Sequence, residues 1–389
     1  MNLKLLKIMT LLLLLFILCF ADVSAAETGE EPSGNLAYPD FTESGHYDTD
    51  FNASFMSEWW YQNGDMRLVS EDGEKRNLAF FIVVTHQESP ELFRDPDSGL
   101  QLSNMATFYG LYPYGEATAH NFTQVFIPRS DIENYIGFHV PYLDYTFPEG
   151  LRRLYGSSFE GYGLDYTYDN LQLDLVFKPR VEKTIDSAIE PVNFTTYESA
   201  YGKLEGTVVL DGKEYVVTQA DGYFDHMIPY TTTLPVWEME MHGWSWAELT
   251  TDSYQTVLYV VRGLEDGYDT CTYKHLTLID KHTGEVVAEY SGDDVEIVET
   301  DWVNLTVKGV SVKRPATLEV SAPGLHIDME AQSVVQFDAA SYPEDRVGFI
   351  DFMAFQPLTA SIEYDGNIEH GSAFYEYMIT DWGAFVSSA

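Results

Sequence analysis

Cysteine is nearly absent from this chain: Cys19 and Cys271 are the two in 389 residues. Cys19 falls in an N-terminal segment of leader type, and a single remaining thiol cannot form an internal disulfide, so the fold must stand on its apolar core. Basic residues are scarce as well, 21 Lys and Arg against 62 Asp and Glu, for a net charge of −41. A surface of that sign repels phosphate backbones and anionic headgroups, which excludes nucleic acid and acidic membranes as partners. The acidic residues are scattered rather than gathered in a tail, the pattern of a solvated surface. Past residue 25 no apolar run approaches the ~20 residues that span a bilayer as a helix, so no integral membrane segment is expected in the mature chain. Also missing are the Gly-x-Ser-x-Gly elbow, a phosphate-cradling glycine loop and the zinc-protease His-Glu-x-x-His. What is left is chemistry in a cavity or simple binding, with no cofactor and no metal expected.

The N-terminus carries Lys4 and Lys7, then an apolar run from Ile8 to Phe20 broken by Thr10, then Val23-Ser24-Ala25. This is the layout of a secretory signal over residues 1–25 and predicts export, to the cell envelope or beyond it. Its removal takes away Lys4, Lys7 and Asp22 and leaves a net charge of about −42. Residues 26–45 are polar and rich in Gly, Glu, Ser and Pro, and are expected to form a flexible leader.

From Phe51 onward the pattern is β. Leu171-Gln172-Leu173-Asp174-Leu175-Val176-Phe177 alternates with period two, as does Trp237-Glu238-Met239-Glu240-Met241-His242. Asp72-Gly73, Asp211-Gly212, Asp266-Gly267 and Asp365-Gly366 are hairpin turn signals. About twenty short strands are expected, with no convincing amphipathic helix. The halves echo one another. Ser57-Glu58-Trp59-Trp60-Tyr61-Gln62-Asn63-Gly64 returns as His242-Gly243-Trp244-Ser245-Trp246-Ala247-Glu248. Gly206 to Lys213 followed by Gly222-Tyr223-Phe224-Asp225-His226 returns as Ala360 to Asn367 followed by Ala373-Phe374-Tyr375-Glu376-Tyr377. Two echoes in the same order indicate a duplicated β-domain, and many short strands with a repeat form sandwiches or barrels. Two prolines in Ile228–Pro235 interrupt the strand pattern and put the joint there, giving domains over 46–229 and 236–389.

The Glu-Trp-Trp-Tyr-x-x-Gly run at 58–64, the Asp-His at 225–226 and the Asp-Gly-Lys turn before it resemble the carotenoid hydratase (hydroxyneurosporene synthase) family, whose fold is that of the AttH-type lipocalin-like proteins. The resemblance spans roughly residues 48–380. It implies an all-β chain of two tandem lipocalin-like antiparallel β-barrels with an apolar cavity, acting on long apolar substrates by hydration, cyclisation or isomerisation. The sequence departs from the family after Asp-His, where Met227-Ile228-Pro229 stands in place of a polar residue and Trp-Gly.

Protonating an alkene needs a strong acid, and a carboxyl buried among aromatic rings keeps its proton and faces groups that stabilise a carbocation. Asp225, between Tyr223, Phe224 and His226, meets this need. Glu58, beside Trp59 and Trp60, is the second choice, and Glu376, between Tyr375 and Tyr377, is the third. The candidate acid–base set is therefore Asp225, Glu58 and His226, with Trp59, Trp60, Tyr61, Tyr223, Trp244, Tyr375 and Glu376 as walls of the substrate site. Structural readings stand beside these: Asp225 and His226 hydrogen-bonded to each other, Glu58 paired with an arginine such as Arg67, and His86 a lone structural histidine. Trp59 and Trp60 face opposite ways on an extended strand, so one of them at most lines a cavity. Glu238, Glu240 and His242 share a strand face that suits zinc, but a solvated face is the simpler reading. The function expected is that of an exported hydratase, isomerase or cyclase of isoprenoid-like substrates. The alternative is a non-catalytic carrier or sensor of an apolar ligand.

Overall fold

The computed structural model describes residues 43–46, 55–89, 93–113, 119–138, 140–181, 184–189, 194–231, 243–262, 271–307, 310–331, 335–339 and 351–380. The signal segment, most of the leader and the Trp237–His242 strand lie outside the described residues.

In the first half the strands are β1 (Phe55–Ser70), β2 (Lys75–Glu88), β3 (Leu102–Pro113), β4 (Ala119–Pro128), β5 (Leu143–Thr146) and β6 (Arg152–Ser157). They continue as β7 (Gly161–Tyr168), β8 (Leu171–Pro179), β9 (Thr184–Ile189), β10 (Phe194–Leu210) and β11 (Lys213–Thr231). The second half holds β12 (Gly243–Thr250), β13 (Tyr254–Arg262), β14 (Cys271–Asp280), β15 (Glu285–Ser291), β16 (Glu296–Thr300) and a separate hairpin of β17 (Val303–Val307) and β18 (Val310–Arg314). It ends with β19 (Thr317–Ala322), β20 (Leu325–Ala331), β21 (Val335–Ala339), β22 (Asp351–Tyr364) and β23 (Asn367–Thr380).

These strands form two curled antiparallel sheets, one per half. The first is ordered β4-β3-β2-β1-β11-β10-β8-β7-β6-β5, and the second β15-β14-β13-β12-β23-β22-β20-β19-β16. Each begins with a four-strand meander, and the first strand of that meander pairs with the last strand of its half. β9 hangs on β10 as β21 hangs on β22. The echoes in sequence are thus a duplication of topology, with β1 matching β12 and β11 matching β23. The repeated Asp-Gly turns do the same work in both halves. Asp211-Gly212 (φ 51° and 78°) and Asp365-Gly366 (φ 51° and 76°) are left-handed at both positions, as a tight hairpin needs to match strand twist.

Alternation sorts the side chains into three apolar clusters. Trp60, Phe80, Tyr162, Leu173 and Phe224 belong to the first sheet's interior. Leu258, Leu276, Val320, Ile327 and Tyr375 fill that of the second. Tyr61, Phe81, Tyr223, Trp246, Val257 and Phe374 form the seam where the two halves meet. β2 is buried without alternation from Leu78 to Glu88, because one of its faces looks into the first interior and the other onto the seam. β8 alternates cleanly, with Leu171, Leu173, Leu175 and Phe177 buried and Gln172 and Asp174 exposed.

The strand carrying Asp-His does not end in a loop there. β11 runs on through Pro229 to Thr231, pairing Met227 with Trp59 and Thr231 with Phe55. The last part of the segment expected to be a flexible leader is built into the first half. Gly45 N–H donates to Gly137 O at 2.9 Å, Trp60 Nε1 to Glu43 O at 3.3 Å, and the Tyr162 hydroxyl to Glu43 Oε2 at 2.6 Å.

Candidate functional site

Asp225 and His226 are neighbours on one strand, so their side chains leave on opposite faces. They do not bond to each other, which corrects the paired reading, and they anchor two different clusters. The first is the seam. Asp225 lies opposite Tyr61 in the β1–β11 register, and Glu376 lies opposite Trp246 in the β12–β23 register. The duplication therefore aims two carboxyl groups, one from each half, into the same seam.

Both groups are buried, Asp225 at 4% and Glu376 at 7% exposure. The Tyr223 hydroxyl lies 2.8 Å from Asp225 Oδ2 and 3.1 Å from Glu198 Oε1. Burial pushes the Asp225 carboxyl well above the usual range; the Tyr223 hydrogen bond opposes this and loses, while the charges of Glu198 and Glu376 add to it. Glu376 is pushed up to about 7 by burial, against a hydrogen bond from Trp244 Nε1 at 2.5 Å. A third seam acid, Glu248, is raised by burial to about 8 and accepts from Gln255 Nε2 at 2.8 Å. In each of these carboxylic acids burial favours the protonated form, because solvent cannot stabilise the charge.

Aromatic rings close around them. Tyr61, Tyr223 and Trp246 form a triad with ring centroids 4.8 to 6.0 Å apart. Trp59 stacks on Trp244 across the seam at 6.3 Å and 15°. Asp225 Oδ1, the Tyr61 hydroxyl and Trp246 Nε1 are buried and complete no hydrogen bond among the described residues. Orphaned polar atoms inside a packed protein are costly. At the other end of the seam a cleft of about 270 Å³ is lined by Asp65, Asp221, Thr250, Lys281 and Ser372. It is polar: Ser372 Oγ donates to Asp65 Oδ2 at 2.6 Å, and Lys281 Nζ lies 3.0 Å from Asp221 Oδ2.

The second cluster is inside the first sheet. Glu58, fully buried, receives His46 Nδ1 at 2.6 Å and His226 Nε2 at 2.7 Å on Oε1. The His46 backbone N–H reaches both of its oxygens, at 3.1 and 3.0 Å. His86, opposite Glu58 in the β1–β2 register, places Nδ1 at 3.5 Å from Oε2. Burial pushes the Glu58 carboxyl upward, but the charge of His46, the hydrogen bonds of His226 and His46, and the nearby imidazole of His86 hold it well below the usual range. His86 is raised to about 9: burial works against its charge, and the carboxylates of Glu58 and Glu88 on either side prevail. The expected partnership of Glu58 with Arg67 is corrected, since Arg67 is exposed and donates to Gln219 at 3.0 Å. His86 is likewise not a lone histidine.

The ten residues singled out in sequence thus part three ways. Asp225, Tyr223, Trp59, Tyr61, Trp244 and Glu376 share the seam. Glu58, Trp60 and His226 lie in the first interior, where Trp60 stacks on the His226 ring at 4.6 Å. Tyr375 points into the second interior, 3.0 Å from Ser245 Oγ and 2.9 Å from Glu299 Oε1. Trp60 and Tyr375 are therefore not walls of the same site as Asp225, because each is one residue out of phase with a seam residue. Trp246 and Glu248 escaped notice although the period-two spacing Trp244, Trp246, Glu248 was there to be read. Glu198, His46 and Glu88 had no such signal.

No protein-family model matches this chain, and no curated protein does. Solved structures do. An AttH-like protein from Nitrosomonas europaea superposes with a TM-score of 0.61 at 13% identity, covering 89% of this chain and 97% of that one. Kievitone hydratase from Nectria haematococca superposes at 0.55 and 10% identity, covering 84% and 90%. CghA does so at 0.55 and 10%, covering 84% and 88%. The class is thus defined by fold, a lipocalin-like double barrel. Within that class the chain has the AttH-type architecture, over nearly its whole described length.

Proposed function

We propose that the protein is an exported hydratase, isomerase or cyclase that protonates a long apolar, isoprenoid-like substrate at the seam between its two halves. The observation that carries this reading is Asp225: a buried acid whose protonated form burial favours, one oxygen held by Tyr223 and the other without a hydrogen-bond partner among the described residues. Tyr223 donates to Oδ2 and fixes the carboxyl plane, leaving Oδ1 to present the proton. Transfer to a substrate alkene leaves a carboxylate and a carbocation. Trp246, Tyr61 and Tyr223 stabilise the cation through their ring faces. Water attack then gives hydration, and internal alkene attack or proton loss gives cyclisation or isomerisation. In each case a proton returns to Asp225 and the acid is restored. Glu376, paired with Trp244 in the same seam, is the second acid and a candidate for orienting the water. The N-terminal signal pattern supports placing this chemistry outside the cytoplasmic membrane. The hydratase name of one structural relative agrees with the reaction class.

The test begins with organic extraction of protein purified from its own envelope and mass spectrometry of the extract. Recovered compounds are then returned to ligand-free protein in D2O. Deuterium incorporation or a gain of water by wild type, lost in Asp225→Asn, supports the reading. A ligand recovered and returned chemically unchanged identifies a carrier instead.

A further inference from the structure

The histidine cluster inside the first half is not needed for the chemistry of the seam, and its geometry points elsewhere. We infer that His46, Glu58, His86 and His226 form a binding site for a divalent transition-metal ion of the zinc class. Four separate pieces of chain supply the donors: the segment before β1, β1 itself, β2 and β11. The ligand atoms of His46, Glu58 and His226 lie within 4.8 Å of one another, and all three residues are buried. Imidazole nitrogen with one carboxylate is a donor set that suits Zn²⁺ and its first-row neighbours and does not suit Ca²⁺ or Mg²⁺.

A hydrogen-bonded cluster without an ion is the competing reading, and two observations weigh against it. The first is His86. Its Nδ1 is aimed at Glu58 from a fully buried side chain and yet completes no hydrogen bond among the described residues. Oε1 already takes His46 Nδ1 and His226 Nε2, and His86 Nδ1 stands 3.5 Å from Oε2, too far for a good hydrogen bond; a cation between them would engage all four ligands together. The second is what stands behind His86. Its Nε2 meets Glu88 Oε1 at 3.2 Å, and Glu88 is held in turn by Ser103 Oγ at 2.7 Å and by Arg129. A carboxylate on the far nitrogen of an imidazole sets its tautomer and turns the near nitrogen toward a metal, the usual outer shell of a histidine ligand. In the ion-free protein, protons occupy the places the cation takes, so metal binding expels them.

Cobalt titration tests this. Chelator-treated, dialysed full-length protein is titrated with CoCl2 and read by visible absorption and calorimetry. One Co²⁺ per chain with the intense bands of low-coordinate imidazole ligation is expected, displaced by one equivalent of Zn²⁺. His46→Gln, outside the sheet, should abolish the bands, and Glu88→Gln should weaken affinity by about 10- to 100-fold. Circular dichroism checks that each variant is folded. Should both variants fail to fold, the wild-type spectrum decides: weak octahedral bands, as from surface carboxylates, or no binding at all overturns the site. Full binding by folded His46→Gln overturns it as well.

Discussion

Glu376→Gln separates a desolvated carboxyl from an ordinary one, because the amide keeps the shape and can still accept the 2.5 Å hydrogen bond of Trp244 Nε1. Burial raises this carboxyl from 4.5 to about 7. The folded protein therefore holds the proton more tightly than the unfolded chain, and between those two values folding takes a proton up. The stability this provides is full below about 4.5 and is lost as pH rises through about 7. Over pH 5 to 8 the loss is on the order of 2–3 kcal/mol for this one group. Urea unfolding of both proteins, followed by tryptophan fluorescence at several pH values across that window, measures it. The fall in unfolding free energy from pH 5 to 8 should be smaller in Glu376→Gln by this amount, roughly 1 M in midpoint for an m-value of about 2–3 kcal/mol/M. The repulsion within a chain of net charge −41 also grows with pH, but it is nearly the same in both proteins and cancels in the comparison. Parallel pH profiles would show that Glu376 is solvated, and the argument for neutral acids in the seam would fail with it.

Other substitutions probe the remaining contacts. Asp225→Asn should abolish turnover without a large loss of stability, since the amide keeps the carboxyl's shape and can still accept from Tyr223; a loss of activity that merely tracks unfolding would refute the acid role. Glu58→Gln should cost about 3–5 kcal/mol in the metal-free protein, because the histidines around it lose the anion they face, and an unchanged urea midpoint would contradict the cluster. Trp59→Ala removes the stack on Trp244 and should cost about 1 kcal/mol beyond lost area, read as a lower thermal midpoint. Gly222→Ala would place a Cβ 2.6 Å from the Asn63 carbonyl and 2.9 Å from Leu204; a cost of about 1–3 kcal/mol is expected.

Much of the fold was legible because its signals are local. Period two at Leu171–Phe177 declared a strand with one wet face, and Asp-Gly at 211 and 365 declared turns that require left-handed backbone at both positions. The repeat announced two similar halves before any contact was known. The same patterning held information about the site that is easily passed over. The unalternating run Leu78–Val84 meant a strand covered on both faces, and hence a second layer packed against the first half.

What the sequence by itself determined is therefore the β architecture, its duplication, and the presence of acids set among aromatic residues. Alternation along a strand also placed Trp59 and Trp60 on opposite faces, and in the structure the same rule separates Asp225 from His226 and Tyr375 from Glu376. Which member of each pair meets the seam was decided only in the tertiary structure, since a strand's two faces are equivalent until a neighbour covers one. The neighbours came from far away in the chain: Glu376 and Trp246 across from Asp225, His46 and His86 around Glu58. Burial by those distant segments is what favours the protonated forms of Asp225 and Glu376, and the imidazoles gathered around Glu58 are what favour its ionised form. Two carboxyls of like chemistry on adjoining strands thus acquire opposite character, because one is enclosed by aromatic rings and the other by histidines.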